Sequence, residues 1–224
     1  MKKTYEFRIY PSGEQKVLLA KHFGHTRWVY NYALSKMIQH YKQTGKTLSR
    51  YDIQSDLPRL KKDEATSWLK EVNSQSLQAV LIHLDTAYSK FFTKSGGFPK
   101  FKNRKSKQSF EIPKNLTVNF DSSYIELPKF REPIRTVFHR KFVGEIRTCH
   151  IKRSNAGSYY VTILVEDGKK LPVKPEIAKT NAIGVDVGIK SFAVTSEGEE
   201  FANPRHFVTC QRRLSSIQRS FSRK

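Results

Sequence analysis

The sequence predicts an α+β fold: a small β-barrel carrying an inserted helical segment, followed by a separate β-hairpin and helix. Three observations point there. From Ser109 to Glu166 apolar residues recur at every second position in short runs bounded by turn residues, the pattern of a barrel or sandwich. Between Ser12 and Phe91 they recur at three- and four-residue spacing behind capping sequences, the pattern of amphipathic helices. Ala182–Glu200 returns to apolar alternation after a Pro- and Lys-rich linker, so a second unit starts there.

Thr4–Tyr10 alternates Tyr5, Phe7 and Ile9 with polar neighbours and stops at Pro11, a half-buried strand. It has no strand neighbour among the helices, so it is expected to pair with the later strands, which makes the helices an insertion. Ser12 and Gln15 have capping-box spacing and open a helix to about His22. Gly24 is expected to break it, with a second helix from about Thr26 to Tyr41. Such a pair is either a plain helical hairpin or a helix-turn-helix. Ser49–Asp52 opens a short helix to about Leu60, and Lys61–Glu71 holds another helical piece around Trp68. The strongest helix follows a cap near Asn73 or Ser74, with Leu77, Val80, Leu81, Leu84, Ala87, Tyr88 and Phe91 on one face. Its first turn (Ser74, Gln75, Gln78) is polar, and a helix N-terminus suits contact with phosphate or base edges. The strands are expected at Ser109–Ile112, Leu116–Phe120, Tyr124–Leu127, Arg135–Phe138, Glu145–Lys152 and Tyr159–Glu166, with Ser154–Gly157 turning between the last two. Lys169–Lys179 reads as the linker, and Pro204 introduces a last helix, His206–Lys224.

Composition selects the partner. The 224 residues carry 41 Lys and Arg against 20 Asp and Glu, a net charge of +21. That excess predicts a polyanion, nucleic acid before anionic membrane. No apolar run reaches the roughly 20 residues of a spanning helix, and the start lacks the apolar core of a signal peptide. No membrane association is expected, and a cytoplasmic, nucleoid-associated location is. Cys149 and Cys210 are too few for a disulfide framework or a zinc site, so zinc is not expected in this chain. His22 and His25 have metal-ligand spacing, but no further ligand completes a set, and a core or surface role suits them better. The cations gather in two places. Lys100, Lys102, Arg104, Lys105 and Lys107 are interleaved with Phe98 and Phe101, a mixture that suits stacked bases and backbone. Residues 203–224 hold Arg205, Arg212, Arg213, Arg219, Arg223 and Lys224 with no acid, so no salt bridge inside the segment balances them.

Asp186 lies within the first hairpin strand, between Val185 and Val187. A carboxylate buried there is costly unless a cation or hydrogen-bond donors meet it. Gly184 and Gly188 leave room for a backbone or ligand to approach. On these residues alone three readings stay open: a turn-forming Asp, a phosphate-binding hairpin of an actin-like ATPase, or the first metal-binding carboxylate of a ribonuclease-H-like nuclease.

Taken together, several blocks resemble one family in its own order. They are FRIYPSGEQ, GHTRWVYNYAL, WLKEVNSQSLQ, GFPKFKNRKSKQSF, IGVDVGIKSFAVTSEG and QRRLSSIQRSFSRK. The chain resembles, from residue 1 to 224, the TnpB (OrfB) proteins, transposon-encoded RNA-guided DNA endonucleases with a RuvC nuclease domain. The resemblance implies a wedge β-barrel (residues 1–10 and 108–168) with an inserted helical recognition lobe (11–107) and a linker (169–181). Residues 182–224 would begin the RuvC domain, of ribonuclease-H fold. It implies that Asp186 is the first catalytic Asp and a metal ligand, and that Tyr51, Ser74, Gln75 and Gln78 read the DNA beside the target. The basic stretches would hold guide RNA or heteroduplex backbone, leaving sequence choice to guide pairing. Its partners would be a guide RNA from the transposon end and double-stranded target DNA.

Phosphodiester hydrolysis of this kind uses paired Mg²⁺ ions held by carboxylates. One Asp cannot hold two metals. The family continues to a catalytic Glu, a zinc ribbon and a final catalytic Asp, none of which lies in these 224 residues. The chain by itself is therefore expected to bind nucleic acid and not to cleave it, its site completed by a C-terminal half or a second copy. Two alternatives stand beside this: a nuclease-dead RNA-guided regulator that acts by occupancy, and an autonomous helix-turn-helix DNA binder.

Overall fold

The computed structural model describes residues 1–171, 173 and 182–223. They divide into two compact units, Met1–Leu171 and Pro172–Lys224. Most of the linker expected at 169–181 lies outside the described residues.

In the first unit, strand β1 (Lys2–Tyr10) runs into helix α1 (Gly13–Thr44). Ser12 caps α1: its Oγ accepts the Gln15 N–H, and Gln15 Oε1 accepts the Ser12 N–H at 2.9 Å. Gln15 Nε2 also donates to the Glu132 and Pro133 carbonyls, tying the helix start to a distant loop. The expected break at Gly24 does not occur. A helical glycine costs about 1 kcal/mol, but the buried series Leu19, His22, Phe23, Thr26, Val29, Tyr30, Ala33 and Leu34 runs through it on one stripe. Continuous burial outweighs the glycine. The real stop is Gly45, left-handed at φ 69°, whose N–H donates to the Tyr41 carbonyl.

The helix expected from Ser49 to about Leu60 is two: α2 (Arg50–Gln54) and α3 (Asp56–Lys62). Pro58 has no N–H for the Gln54 carbonyl, so the ladder restarts with proline in the first turn of α3. A 3-10 helix (Glu64–Glu71) leads to α4 (Ser74–Phe92). These helices share a core of Val29, Leu34, Ile53, Leu57, Leu69, Leu77, Leu81 and Leu84. Asp56 is buried at its edge, paired with Lys36 and Arg59 and accepting from the Tyr32 hydroxyl. Asp56→Ala is expected to destabilise by about 2 kcal/mol, since its donors would lose their acceptor at a half-buried site. A urea midpoint lowered at unchanged m-value checks this.

The strands that follow are β2 (Gln108–Ile112), β3 (Thr117–Asn119), β4 (Tyr124–Glu126), β5 (Ile134–Val137), β6 (Glu145–Arg153) and β7 (Tyr159–Glu166). With β1 they form one antiparallel sheet in the order β2-β6-β7-β1-β5-β4-β3. β1 lies between β5 and β7, so the first strand of the chain closes into the last part of the unit. Inner-face residues from across the sheet, Phe110 and Ile112 of β2 through Phe7, Ile9, Ile151 and Ile163 to Ile125 of β4, meet in one core with Leu19 and Phe23 of α1. A sheet whose distant strands share one core is curled around it. Cys149 lies inside, where burial pushes its thiol pKa up to about 12, so it stays an inert thiol.

The second unit has strands β8 (Val185–Asp186), β9 (Ser191–Thr195) and β10 (Glu200–Ala202), in the order β10-β9-β8, and helix α5 (His206–Phe221). The expected hairpin thus gains a third strand. Among the described residues of this unit only Ala193 is buried. No helix of the described residues is long and apolar enough to cross a membrane.

Candidate nucleic-acid interface

The start of α4 is held from beneath by His22. Asn73 caps the helix, its Oδ1 accepting the Gln75 N–H at 3.1 Å. The Asn73 N–H donates to His22 Nε2 at 3.2 Å, while His22 Nδ1 donates to the Leu18 carbonyl at 2.9 Å. That pair of bonds requires the neutral imidazole protonated on Nδ1. Burial pushes the pKa of His22 down to about 4, and its ring stacks on Phe110 with centroids 4.8 Å apart. The histidine is a structural pin between the curled sheet and α4, and not a ligand.

Above that pin, Tyr51, Ser74 and Gln78 line one groove of about 490 Å³ with Gln54 and Lys61. Lys61 Nζ donates to Ser74 Oγ at 2.5 Å. Burial and the nearby Lys129 lower the ammonium pKa of Lys61. The first turn of α4 holds no acidic residue, so the helix dipole and Lys61 together make the groove electropositive. Tyr51 is 66% exposed, with the Arg50 guanidinium 4.6 Å above its ring. Gln75 does not line the groove; its Oε1 is buried without a hydrogen-bond partner. Sequence reasoning missed Lys61 because it comes from another helix, 13 residues upstream of Ser74.

The basic loop is anchored and not a free charge run. Asn31 of α1 grips the Lys102 backbone, donating to its carbonyl and accepting its N–H, both at 2.8 Å. Asn103 Oδ1 accepts the N–H groups of Lys105 and Ser106, closing a turn. Lys102 departs from its neighbours: its Nζ sits 4.0 Å from the centroid of the Tyr30 ring, where burial lowers its pKa. Lys100, Arg104, Lys105 and Lys107 are exposed, and none forms an ion pair among the described residues. Phe98 packs edge-on against Tyr88 and Phe91, while Phe101 stands more than half exposed.

In the second unit Asp186 is exposed and pairs with Val194 through the β8–β9 ladder. The expected buried carboxylate is therefore a solvated one, and its desolvation gives no argument for a bound cation. Among the described residues no group of three His, Cys, Asp or Glu side chains could hold a metal ion. A two-Mg²⁺ centre does not fit these residues. The Gly184 N–H donates to Ser196 Oγ at 3.0 Å and its carbonyl accepts the Ser196 N–H at 2.8 Å, tying the start of β8 to the end of β9. At the start of α5 (Arg205), on it (Arg212, Arg213, Arg219) and just past its end (Arg223), the arginines are all exposed and form no ion pair among the described residues.

A family model described as a helix-turn-helix domain, of the OrfB/IS605 type, matches residues 1–46; here that stretch holds β1 and the single long α1. The chain is 33% identical over 226 residues to a protein of Streptomyces pristinaespiralis named as an RNA-guided DNA endonuclease, covering 100% of this chain and 55% of that protein. It is 30% identical over 221 residues to InsQ of Escherichia coli K12, which bears the same description, covering 99% of this chain and 54% of that protein. The chain thus spans about half the length of these relatives. Virulence protein VsdF of Salmonella dublin is 36% identical over 108 residues, 44% of this chain and 91% of that protein. A chain of the Cas12f1–sgRNA–target DNA complex aligns over 97% of this chain and 61% of its own, at a TM-score of 0.42 and 13% identity.

Proposed function

Since the chain belongs to the TnpB (OrfB) family, we propose that it is the nucleic-acid-binding portion of an RNA-guided DNA endonuclease. In this reading the curled sheet, residues 1–10 and 108–168, is the wedge barrel and 11–107 is the inserted recognition lobe. Residues 182–224 begin the RuvC domain. The observation that carries the reading is the convergence of Tyr51, Ser74 and Gln78, from two helices, on one electropositive groove with Lys61. Polar side chains at a helix N-terminus can meet a DNA backbone phosphate and the base edges beside it. Lys100, Arg104, Lys105 and Lys107, with Arg205, Arg212, Arg213, Arg219 and Arg223, hold the backbone of guide RNA or heteroduplex. Lys102 chiefly fastens its loop to Tyr30.

Asp186 is assigned as one carboxylate of a Mg²⁺ site that needs further acidic residues, contributed by a C-terminal half or a second copy. The chain by itself is then expected not to cut DNA.

The test is filter binding of end-labelled double-stranded target DNA by the purified chain, with and without RNA transcribed from the transposon end. The expected result is guide-dependent DNA binding, abolished by ribonuclease, without cleavage in Mg²⁺. DNA binding that survives ribonuclease undiminished would favour the autonomous DNA binder. Cleavage by this chain alone would overturn the assignment of Asp186 to an incomplete site.

A further inference from the structure

A second, smaller pocket lies where the basic loop meets α1, α4 and the β2–β6 edge. Its volume is about 60 Å³, room for a small anion. Arg27, His83, Lys102, Lys107 and His150 line it, and no carboxylate does. Gln108 organises the wall. Its Nε2 donates to the Ser106 and Arg104 carbonyls at 2.6 and 3.0 Å, which leaves its Oε1 to accept from Arg27 Nη1 at 3.2 Å. Arg27 is thereby held by a neutral amide. Neither Arg27 nor Lys107 has a carboxylate partner among the described residues.

Glu111 is the nearby acid, and its charge is already committed. It accepts from His83 Nε2 at 2.6 Å and sits opposite His150 in the β2–β6 ladder. The His83 and His150 rings lie 6.2 Å apart, roughly parallel. Cations without counter-ions around a small polar pocket, on a loop already closed by Asn31 and Asn103, form a site whose ordering cost has been met in folding.

We propose that this pocket seats a single phosphate of a nucleic-acid backbone, with Arg27 and Lys107 as its two cationic anchors. The inference rests on the reading above and deepens it, placing one backbone phosphate at a defined point between sheet and helices. A seated phosphodiester would accept from both anchors, charge-assisted bonds stronger than neutral ones, and would set the register of the strand that continues along the exposed Lys100, Arg104 and Lys105.

The test is NMR of the His83 and His150 side chains in the full chain, titrated first with inorganic phosphate and then with a short ribo-oligonucleotide. Both ligands are expected to shift the same two rings, and the oligonucleotide to displace phosphate. Lys107→Gln, an exposed substitution expected to leave the thermal midpoint unchanged, should weaken both. In salt titrations Lys107→Gln should lower the slope of log affinity against log salt by about 0.7, the value of one single-strand phosphate contact; Arg27→Gln should do the same. Phosphate that shifts the rings without being displaced by bound oligonucleotide would overturn the backbone assignment and leave a free-anion site. Oligonucleotide bound with an unchanged slope in both variants would also sink it, with the functional reading intact. Failure of any oligonucleotide to bind would count against the functional reading itself.

Discussion

Acidifying the protein from pH 7 to pH 4 is expected to cost about 3 kcal/mol of stability through His22 alone. The folded pKa of about 4 lies below the ordinary histidine value of 6.5 because burial disfavours the imidazolium. The unfolded chain therefore takes up a proton at pH values where the folded chain does not. The contribution is fully present above about pH 6.5 and is lost progressively as the pH falls towards 4. His25 and His150 are also lowered mainly by burial and act in the same direction. The loss has a local address. Protonation of Nε2 would set a donor against the Asn73 N–H, so the start of α4, with Ser74 and Gln78, should be released first. Urea midpoints at steps between pH 7 and pH 4 check the magnitude. His22→Gln should be less stable at pH 7 and show a flatter profile over that range. A wild-type profile as flat as that of the variant would refute the assignment.

Replacing Arg212, Arg213, Arg219 and Arg223 together by Gln is expected to reduce RNA affinity by about two orders of magnitude at low salt. The slope of log affinity against log salt should fall by about 3, since each backbone contact on a single strand releases about 0.7 of a counterion. The four guanidinium groups are exposed, three on a helix without a buried residue and Arg223 just past its end, so their loss should leave the first unit's melting transition unchanged. Gel shifts at several salt concentrations measure the slope directly. An unchanged slope would mean that α5 carries a solvated face and that RNA lies elsewhere. Arg205 is left in place because it precedes the helix in the left-handed region, at φ 48°, with its N–H accepted by Asn203 Oδ1.

Much of the architecture was legible in the residues because it is written locally. Alternation placed β2 to β7 within one or two residues at most ends, and Ser12 with Gln15 marked the start of α1 through a cap made within four residues. Local signals misled where burial overrode propensity. Gly24 looked like a helix end, yet the apolar stripe through it packs against two cores. Asp186 read as a buried carboxylate from its apolar neighbours, but the strand there is two residues long and exposed.

The composition alone determined that this is a basic chain suited to a polyanionic partner, since charge is additive and needs no fold. Motif order alone determined its family, because blocks in sequence survive without coordinates. Which cations remain available was decided by tertiary structure. Lys102 and Lys107 are five residues apart in one basic run, yet one lies over Tyr30 and the other stays exposed at the rim of a pocket. Tyr30 and Asn31 of α1 hold Lys102, while Arg27, one turn earlier on the same helix, bonds Gln108 at the start of β2 beside Lys107. Long-range packing, which no local pattern encodes, turned a charge run into distinct groups.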